Sequence, residues 1–173
     1  MPCFATPRFR AISAEYRFRK MTSGDMPMVR RWLETPAARR WWGNPIKEAA
    51  FLVEDLDEPA MTMLIVEHRS IPFAFAQHYA VHTWHQPQFA HLPRGSRAID
   101  VFIGNPAMIG RGHGTAFVRL LAQQLRASGV PVVTLDPDIR NTRARRAYAR
   151  AGFSYGTIKS QGQRPAVAMF FTE

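Results

Sequence analysis

The stretch that most constrains this chain is residues 97–115, Arg-Ala-Ile-Asp-Val-Phe-Ile-Gly-Asn-Pro-Ala-Met-Ile-Gly-Arg-Gly-His-Gly-Thr. Its first part alternates as a strand: Ile99, Val101 and Ile103 share one face, and Asp100 and Phe102 the other. Gly110, Gly112 and Gly114 follow, and a helix opens at once. Glycines there let bare backbone approach a ligand. The free N–H groups of the helix start, with the positive end of its dipole, make a seat for phosphate. A carboxylate on the strand leading into that seat points to an enzyme that uses a phosphorylated cofactor.

The rest of the composition narrows the class. At 173 residues the chain is long enough for one domain with a sizeable core and short for two. No apolar run approaches the roughly 20 residues a membrane helix needs, and the basic N-terminus lacks the apolar core of a secretion signal. A cytoplasmic protein without membrane contact is expected. Cys3 is the single cysteine, which excludes an internal disulfide and most cysteine metal sites. The net charge is +10, carried almost wholly by arginine. Scattered solvated arginines, a basic face for an anionic ligand such as CoA, and nucleic-acid binding all remain readings of that charge. No long basic block or zinc-finger spacing supports nucleic acid.

In chain order, residues 1–14 show no clean period and read as an N-terminal extension, with one domain over 15–173. Residues 15–20 alternate as a first strand, with Tyr16 and Phe18 on one face. A turn and cap at 22–25 precede a helical stripe of Met26, Val29, Trp32 and Leu33, which Pro36 ends or restarts. Trp41 and Trp42 face different directions on any regular element. Either one fills the core and the other covers a loop, or one forms a flat wall of a cleft. A second helix spans 46–56. The acids of 54–58 are either a solvated face or an acidic lip for a cationic substrate.

Residues 61–66 and 71–81 read as a strand pair turning at 68–70, with Gln77, Tyr79 and Val81 on one face. The connection 82–96 holds His82, Trp84, His85, Phe89 and His91. A metal and an aromatic substrate loop are both readings of it, but the histidines match no zinc spacing. Beyond the glycines come a helical stripe of Ala116, Phe117, Leu120, Leu121 and Leu125, then a short buried strand at 131–135 ending in Asp136-Pro137-Asp138. The helix 142–151 turns Ala144, Ala147, Tyr148 and Ala151 inward, and Arg140, Arg143, Arg145, Arg146 and Arg150 outward. A last hairpin pairs 153–158 with 166–171. The order β-α-α-β-β-β-α-β-α-β-β describes an α/β (α+β) domain with a mixed sheet.

Spacing tests the glycine loop. From Gly110 the sixth position is Thr115 and from Gly112 it is Phe117, so G-x-G-x-x-G fails, and no Gly-Lys-Ser/Thr tripeptide completes a Walker loop. What stands is strand, G-x-G-x-G, helix, strand, then Asn141, Ala144, Tyr148, Gly152 and Phe153 at fixed spacing. That combination resembles the acetyl-CoA site of the GNAT acetyltransferase superfamily. Trp32-Leu33, Trp41-Trp42-Gly43, Ala76-Gln77-x-Tyr79, Ile99-Asp100 and Asp136-Pro137 further resemble the aminoglycoside 6'-N-acetyltransferases.

The resemblance implies a GNAT fold. Its sheet is mixed, mostly antiparallel and flanked by helices, and it splays between the strands at 98–103 and 131–135. Acetyl-CoA is the implied co-substrate, and no metal is required. The resemblance assigns the cofactor to Val101, Phe102, Ile103, Ile109, Gly110, Arg111, Gly112, His113, Gly114, Thr115, Asn141 and Arg145. It places the thioester near Phe102, where a backbone N–H would stabilise the developing oxyanion. Asp100 becomes the base or acceptor anchor, Tyr148 the acid for the leaving thiolate, and Trp42, Gln77, Tyr79, Asp100 and Asp136 the acceptor cleft. The partner implied is a small-molecule amine, and the protein a monomer or homodimer. A polycationic acceptor also requires acids gathered at the cleft, since the whole chain would repel it. The rivals are a GNAT enzyme of another small amine, a siderophore precursor or a protein amine, and a non-catalytic basic CoA- or RNA-binding module.

Overall fold

The computed structural model describes residues 15–159 and 165–173. The N-terminal extension expected at 1–14 lies outside them. Seven strands form one sheet in the order β1-β2-β3-β4-β5-β7-β6, where β1 is Tyr16–Lys20, β2 Met61–His68, β3 Ile71–Ala80, β4 Arg97–Ile103, β5 Val133–Leu135, β6 Phe153–Lys159 and β7 Val167–Phe171. All neighbours are antiparallel except β4 and β5. The mixed, mostly antiparallel sheet is thus the one expected.

Strand alternation sorts the helices onto two faces. Leu64 and Val66 of β2 and Ile99, Val101 and Ile103 of β4 pack against α4 (His113–Ala127) and α5 (Thr142–Arg150). Met63, Ile65, Phe75 and Phe102 point the other way. They pack under α1 (Met26–Leu33), α2 (Pro36–Trp41) and α3 (Pro45–Glu54). Helix α4 buries Phe117, Val118, Leu121, Ala122 and Leu125, one continuous stripe at helical spacing.

Local chemistry sets the boundaries. Asp25 accepts the Thr22 N–H at 2.9 Å in a capping box ahead of α1. Pro36 does restart a helix: Thr35 caps α2 by accepting the Ala38 N–H, so three helices, not two, separate β1 from β2. Asn44 caps α3 through the Ile46 and Lys47 N–H groups. The helix expected to reach 56 stops at Glu54, because Asp55–Asp57 tightens into a 3-10 turn and Glu58 accepts the Ala60 N–H.

The sheet opens where the resemblance placed the opening. Strands β4 and β5 pair only at Arg97↔Val133 and Ala98↔Thr134. Beyond Ala98, β4 runs on to Ile103 without a strand on that side, and the chain leaves β5 at Leu135. On the far side Gly104 admits the Trp32 ring so closely that an added Cβ would sit 2.0 Å from it.

An ion-paired cluster fastens β1 to the first helix. Arg19 donates to Asp25 at 2.6 Å and to Glu67 at 2.9 Å, and this pairing holds the Asp25 carboxyl down at about 2. A depressed acid stabilises the fold above its unfolded pKa, and that contribution disappears as pH falls through about 2. Asp25→Asn, which keeps the cap acceptor, should therefore cost about 2 kcal/mol in urea unfolding at pH 7, and the difference from the parent should shrink steadily below pH 4. Gly104→Ala should cost about 1–3 kcal/mol in the same measurement, because Trp32 has to leave its seat.

Candidate active site

The parity of β4 decides which backbone groups face the opening. Arg97 donates its N–H to the Val132 carbonyl beside β5, while Gly104 donates to Phe73 on the β3 side. Alternation then turns the N–H and C=O of Ile99, Val101 and Ile103 to the open edge, and those of Asp100 and Phe102 to β3. The Phe102 N–H is therefore directed into the β3 ladder, and the backbone N–H expected near Phe102 for a developing oxyanion has to come from a neighbouring residue. The donors on the open edge belong to Val101 and Ile103. The Phe102 ring stacks on Phe75 at 5.3 Å, with Trp42 edge-on at 4.7 Å. Trp42 Nε1 donates to the Val101 carbonyl at 3.3 Å.

Behind that edge lies a cavity of about 430 Å³ that reaches both faces of the sheet. Of the residues expected at a cofactor, Val101, Phe102, Ile103, Ile109, Gly110, Gly112, Gly114, Thr115 and Asn141 line it. Gly110 and Gly112 have φ of 77° and 87°, the left-handed region that only glycine enters freely, and Gly112 directly precedes α4. Asn141 caps α5 by accepting the Ala144 N–H at 3.1 Å, and the Thr115 hydroxyl donates to the Ala147 carbonyl at 3.2 Å.

Three of the expected cofactor residues are not at the lining. Arg111 is exposed beside it. The His113 ring turns back under the sheet, where its Nδ1 shares a 2.7 Å hydrogen bond with the Tyr16 hydroxyl and the ring lies 4.7 Å from His68. Arg145 reaches the Thr142 hydroxyl at 3.5 Å and the Tyr155 ring at 6.0 Å. Arg143 and Arg150 line the cavity instead. Both were expected on the outer side of α5, but each falls one helical turn from the inward Ala147, which brings it to the cavity wall.

The two acids expected at the site come together at its end. Asp100 accepts from Gln77 Nε2 at 3.0 Å, its register partner across β3, and burial pushes its pKa up. Asp136 follows β5 and accepts from Gln88 Nε2 at 3.1 Å. Burial, then the Asp100 charge, pushes Asp136 up to about 7. Tyr148 lines the same cavity, and burial followed by the two carboxylate charges raises its pKa. Its hydroxyl meets no hydrogen-bond partner among the described residues.

The acceptor side differs from the reading in detail. Trp42 lines the cavity, and so does Trp41, so both tryptophans face it rather than one of the pair. Gln77 stands behind Asp100. Tyr79 is buried with Val81, Phe89 and Leu92, and its hydroxyl accepts from Gln86 at 3.1 Å, so neither residue reaches the lining. Glu48 of α3 joins Asp100, Asp136 and Asp138 there, though Arg140 pairs with Asp138 at 2.6 Å. The acids of 54–58 do not line the cavity. Glu48 and Gln88 went unread because each sits on an element whose facing only the tertiary packing sets. Among the described residues no three His, Cys, Asp or Glu side chains gather to hold a metal, and no helix is long and apolar enough to cross a membrane.

Against that geometry, residues 21–158 match the family described as "Acetyltransferase (GNAT) domain". The aminoglycoside N(6')-acetyltransferase type 1 of Klebsiella pneumoniae is 29% identical over 168 residues, covering 89% of this chain and 81% of that protein. The structure of AAC(6')-Ib in complex with ribostamycin and coenzyme A superposes with a TM-score of 0.80 at 29% identity, covering 92% of this chain and 94% of that one. An uncharacterized protein from Bacillus halodurans reaches a TM-score of 0.83 at 16% identity, covering 92% and 86%, and shares the fold alone.

The raised Asp136 has a measurable consequence. Its folded form keeps a proton that the unfolded chain has already lost, so stability falls as pH rises from about 4 through about 7. Asp136→Asn should unfold with the parent at pH 4 and be the more stable protein at pH 8 by at least about 1 kcal/mol, read from thermal or urea unfolding at both pH values.

Proposed function

The chain belongs to the GNAT acetyltransferase family, and from that membership we propose that its acceptor is the 6'-amino group of an aminoglycoside. The observation that carries the reading is the pair of half-buried carboxylates, Asp100 and Asp136, lining the cavity beside the open edge of β4. The relatives named for aminoglycoside N(6')-acetylation, matched over most of both chains, support the same acceptor.

The residues present fit acetyl-CoA. The left-handed Gly110 and Gly112 and the start of α4 offer N–H groups to the pyrophosphate. Arg143 and Arg150 add positive charge at the cavity wall. The open edge at Val101 and Ile103 would hold the amides of the pantetheine arm by strand-like hydrogen bonds, beside Asp100. The co-substrate supplies an activated acyl group; the protein supplies the rest. An Ile103 or Val101 N–H donates to the acetyl carbonyl oxygen as charge gathers there.

An acceptor ammonium must shed a proton to attack. Asp100 accepts it, directly or through water, and the raised pKa brings this carboxylate nearer to a useful base strength. Tyr148, whose hydroxyl has no other hydrogen-bond partner among the described residues, returns a proton to the departing sulfur. Asp136 holds a second ammonium of the acceptor. The product is an uncharged amide, and an antibiotic that grips anionic RNA through its ammonium groups loses one of them.

One observation favours a second reading. The connection 82–96 beside Asp136 contains three histidines and an arginine but no acid, which suits an acceptor carrying fewer charges, such as a small diamine.

Release of CoA from acetyl-CoA tests both, against kanamycin-type aminoglycosides, spermidine, hydroxylysine and a lysine peptide. Turnover confined to aminoglycosides with a free 6'-amine is expected, and turnover confined to another amine overturns the acceptor while leaving the chemistry. Asp100→Ala should lower kcat/KM by at least about 100-fold and Tyr148→Phe by about tenfold, with acetyl-CoA affinity held in both.

A further inference from the structure

Each of the two site carboxylates is held by one glutamine amide, and in both cases on a single oxygen. Gln77 Nε2 reaches Asp100 Oδ2 at 3.0 Å, and Gln88 Nε2 reaches Asp136 Oδ2 at 3.1 Å. Gln77 belongs to the sheet. Gln88 does not: it stands in a one-turn 3-10 segment, Pro87–Phe89, within the long connection between β3 and β4. The next residue, Phe89, is wholly buried beside Tyr79, Val81 and Leu92. That ring anchors the connection and so fixes where the Gln88 amide points. Gln86, two residues earlier, fastens the same segment by donating to the Tyr79 hydroxyl at 3.1 Å.

From this geometry we propose that Gln88 is a positioning residue for the acceptor: it holds Asp136 by one oxygen so that the other meets the acceptor's second ammonium. The inference rests on the acceptor reading above. An amide N–H on Oδ2 restrains the carboxylate of a residue that lines the cavity and leaves Oδ1 without a side-chain donor among the described residues. Apart from its own backbone N–H, the other groups facing Asp136 do not help its charge. Asp100 from β4 repels it, and Tyr148 from α5 and Tyr79 from β3 stand near it without donating to it. The cations of the cavity wall, Arg143 and Arg150, stand on α5, and Arg140 is taken by Asp138. Gln88 is the side chain that donates to this carboxylate among the described residues. Without it Asp136 would stay protonated to higher pH, and a protonated acid holds an ammonium poorly.

The test separates positioning from mere loop support. Gln88→Ala should raise the acceptor KM about tenfold near pH 7, the scale of one charge-assisted hydrogen bond, while kcat at saturating acceptor changes less than about twofold. The KM penalty should fade toward pH 9, where Asp136 is ionised in both proteins. Among acceptors in which each other amine in turn is replaced by hydroxyl, one should have a KM that the substitution no longer raises. Carbon-13 NMR of the side-chain carboxyls, on the protein without substrates, should place the Asp136 titration higher in Gln88→Ala by about half a pH unit or more. A fall in kcat at constant KM, an equal KM penalty across every analogue, or an unmoved Asp136 titration overturns the proposal. If the parent acetylates no aminoglycoside the acceptor reading fails, and the NMR arm still decides whether Gln88 governs Asp136.

Discussion

Everything that distinguishes this molecule from an ordinary helix-flanked sheet follows from a pairing that stops early. Strands β4 and β5 share two residue pairs and then part. A strand edge left open inside a protein is expensive, because its N–H and C=O groups have neither water nor partners. Here the divergence turns that liability into a template. The odd-numbered residues of β4 present the same hydrogen-bonding groups to a ligand that they would present to a strand. Trp42 already covers one of them by donating to Val101. The helices then sort themselves by which side of the parted strands they cover, and the charged groups by which end of the opening they reach.

How much of this could be read in the chain depended on whether the signal was local. The glycine turn, the cap of α1 and the alternation of β4 are each written within a few neighbouring residues. Each was legible for that reason. The parting of the sheet was legible only through the resemblance, since nothing in residues 131–135 alone says that β5 pairs twice and stops. His113 shows the limit. A histidine within a glycine turn reads as a ligand residue, yet one rotation about its side chain satisfies it against Tyr16, nearly a hundred positions away. Arg145 and Arg143 are two residues apart on a short helix, and a rotation of roughly 200° about its axis sets which one meets the cavity.

Gln88 and Glu48 illustrate a different blindness. Gln88 lies in a connection whose conspicuous residues are aromatic and imidazole rings, and these drew the reading toward stacking or metal. The packing of Phe89 decides the matter, and Phe89 looks like any other loop aromatic until its neighbours are known. The charge question resolves in the same way. The conspicuous acidic run at 54–58 is a solvated helix end, while scattered acids from α3, β4 and the connection after β5 assemble the negative end of the cavity. A sequence displays runs; a site is built from what folding brings together.

The cavity lies in a split sheet and opens to both faces, lined by α2 and α3 on one side and by α4 and α5 on the other. That topology bears on the order of events. Two substrates entering from opposite sides do not compete for one doorway, so neither must leave before the other arrives. The described lining carries no cysteine or serine to store an acyl group between visits. Such an architecture favours a single encounter of both reactants over a two-stroke exchange through the protein. The chain thus works as a meeting place held between the two faces of one parted sheet.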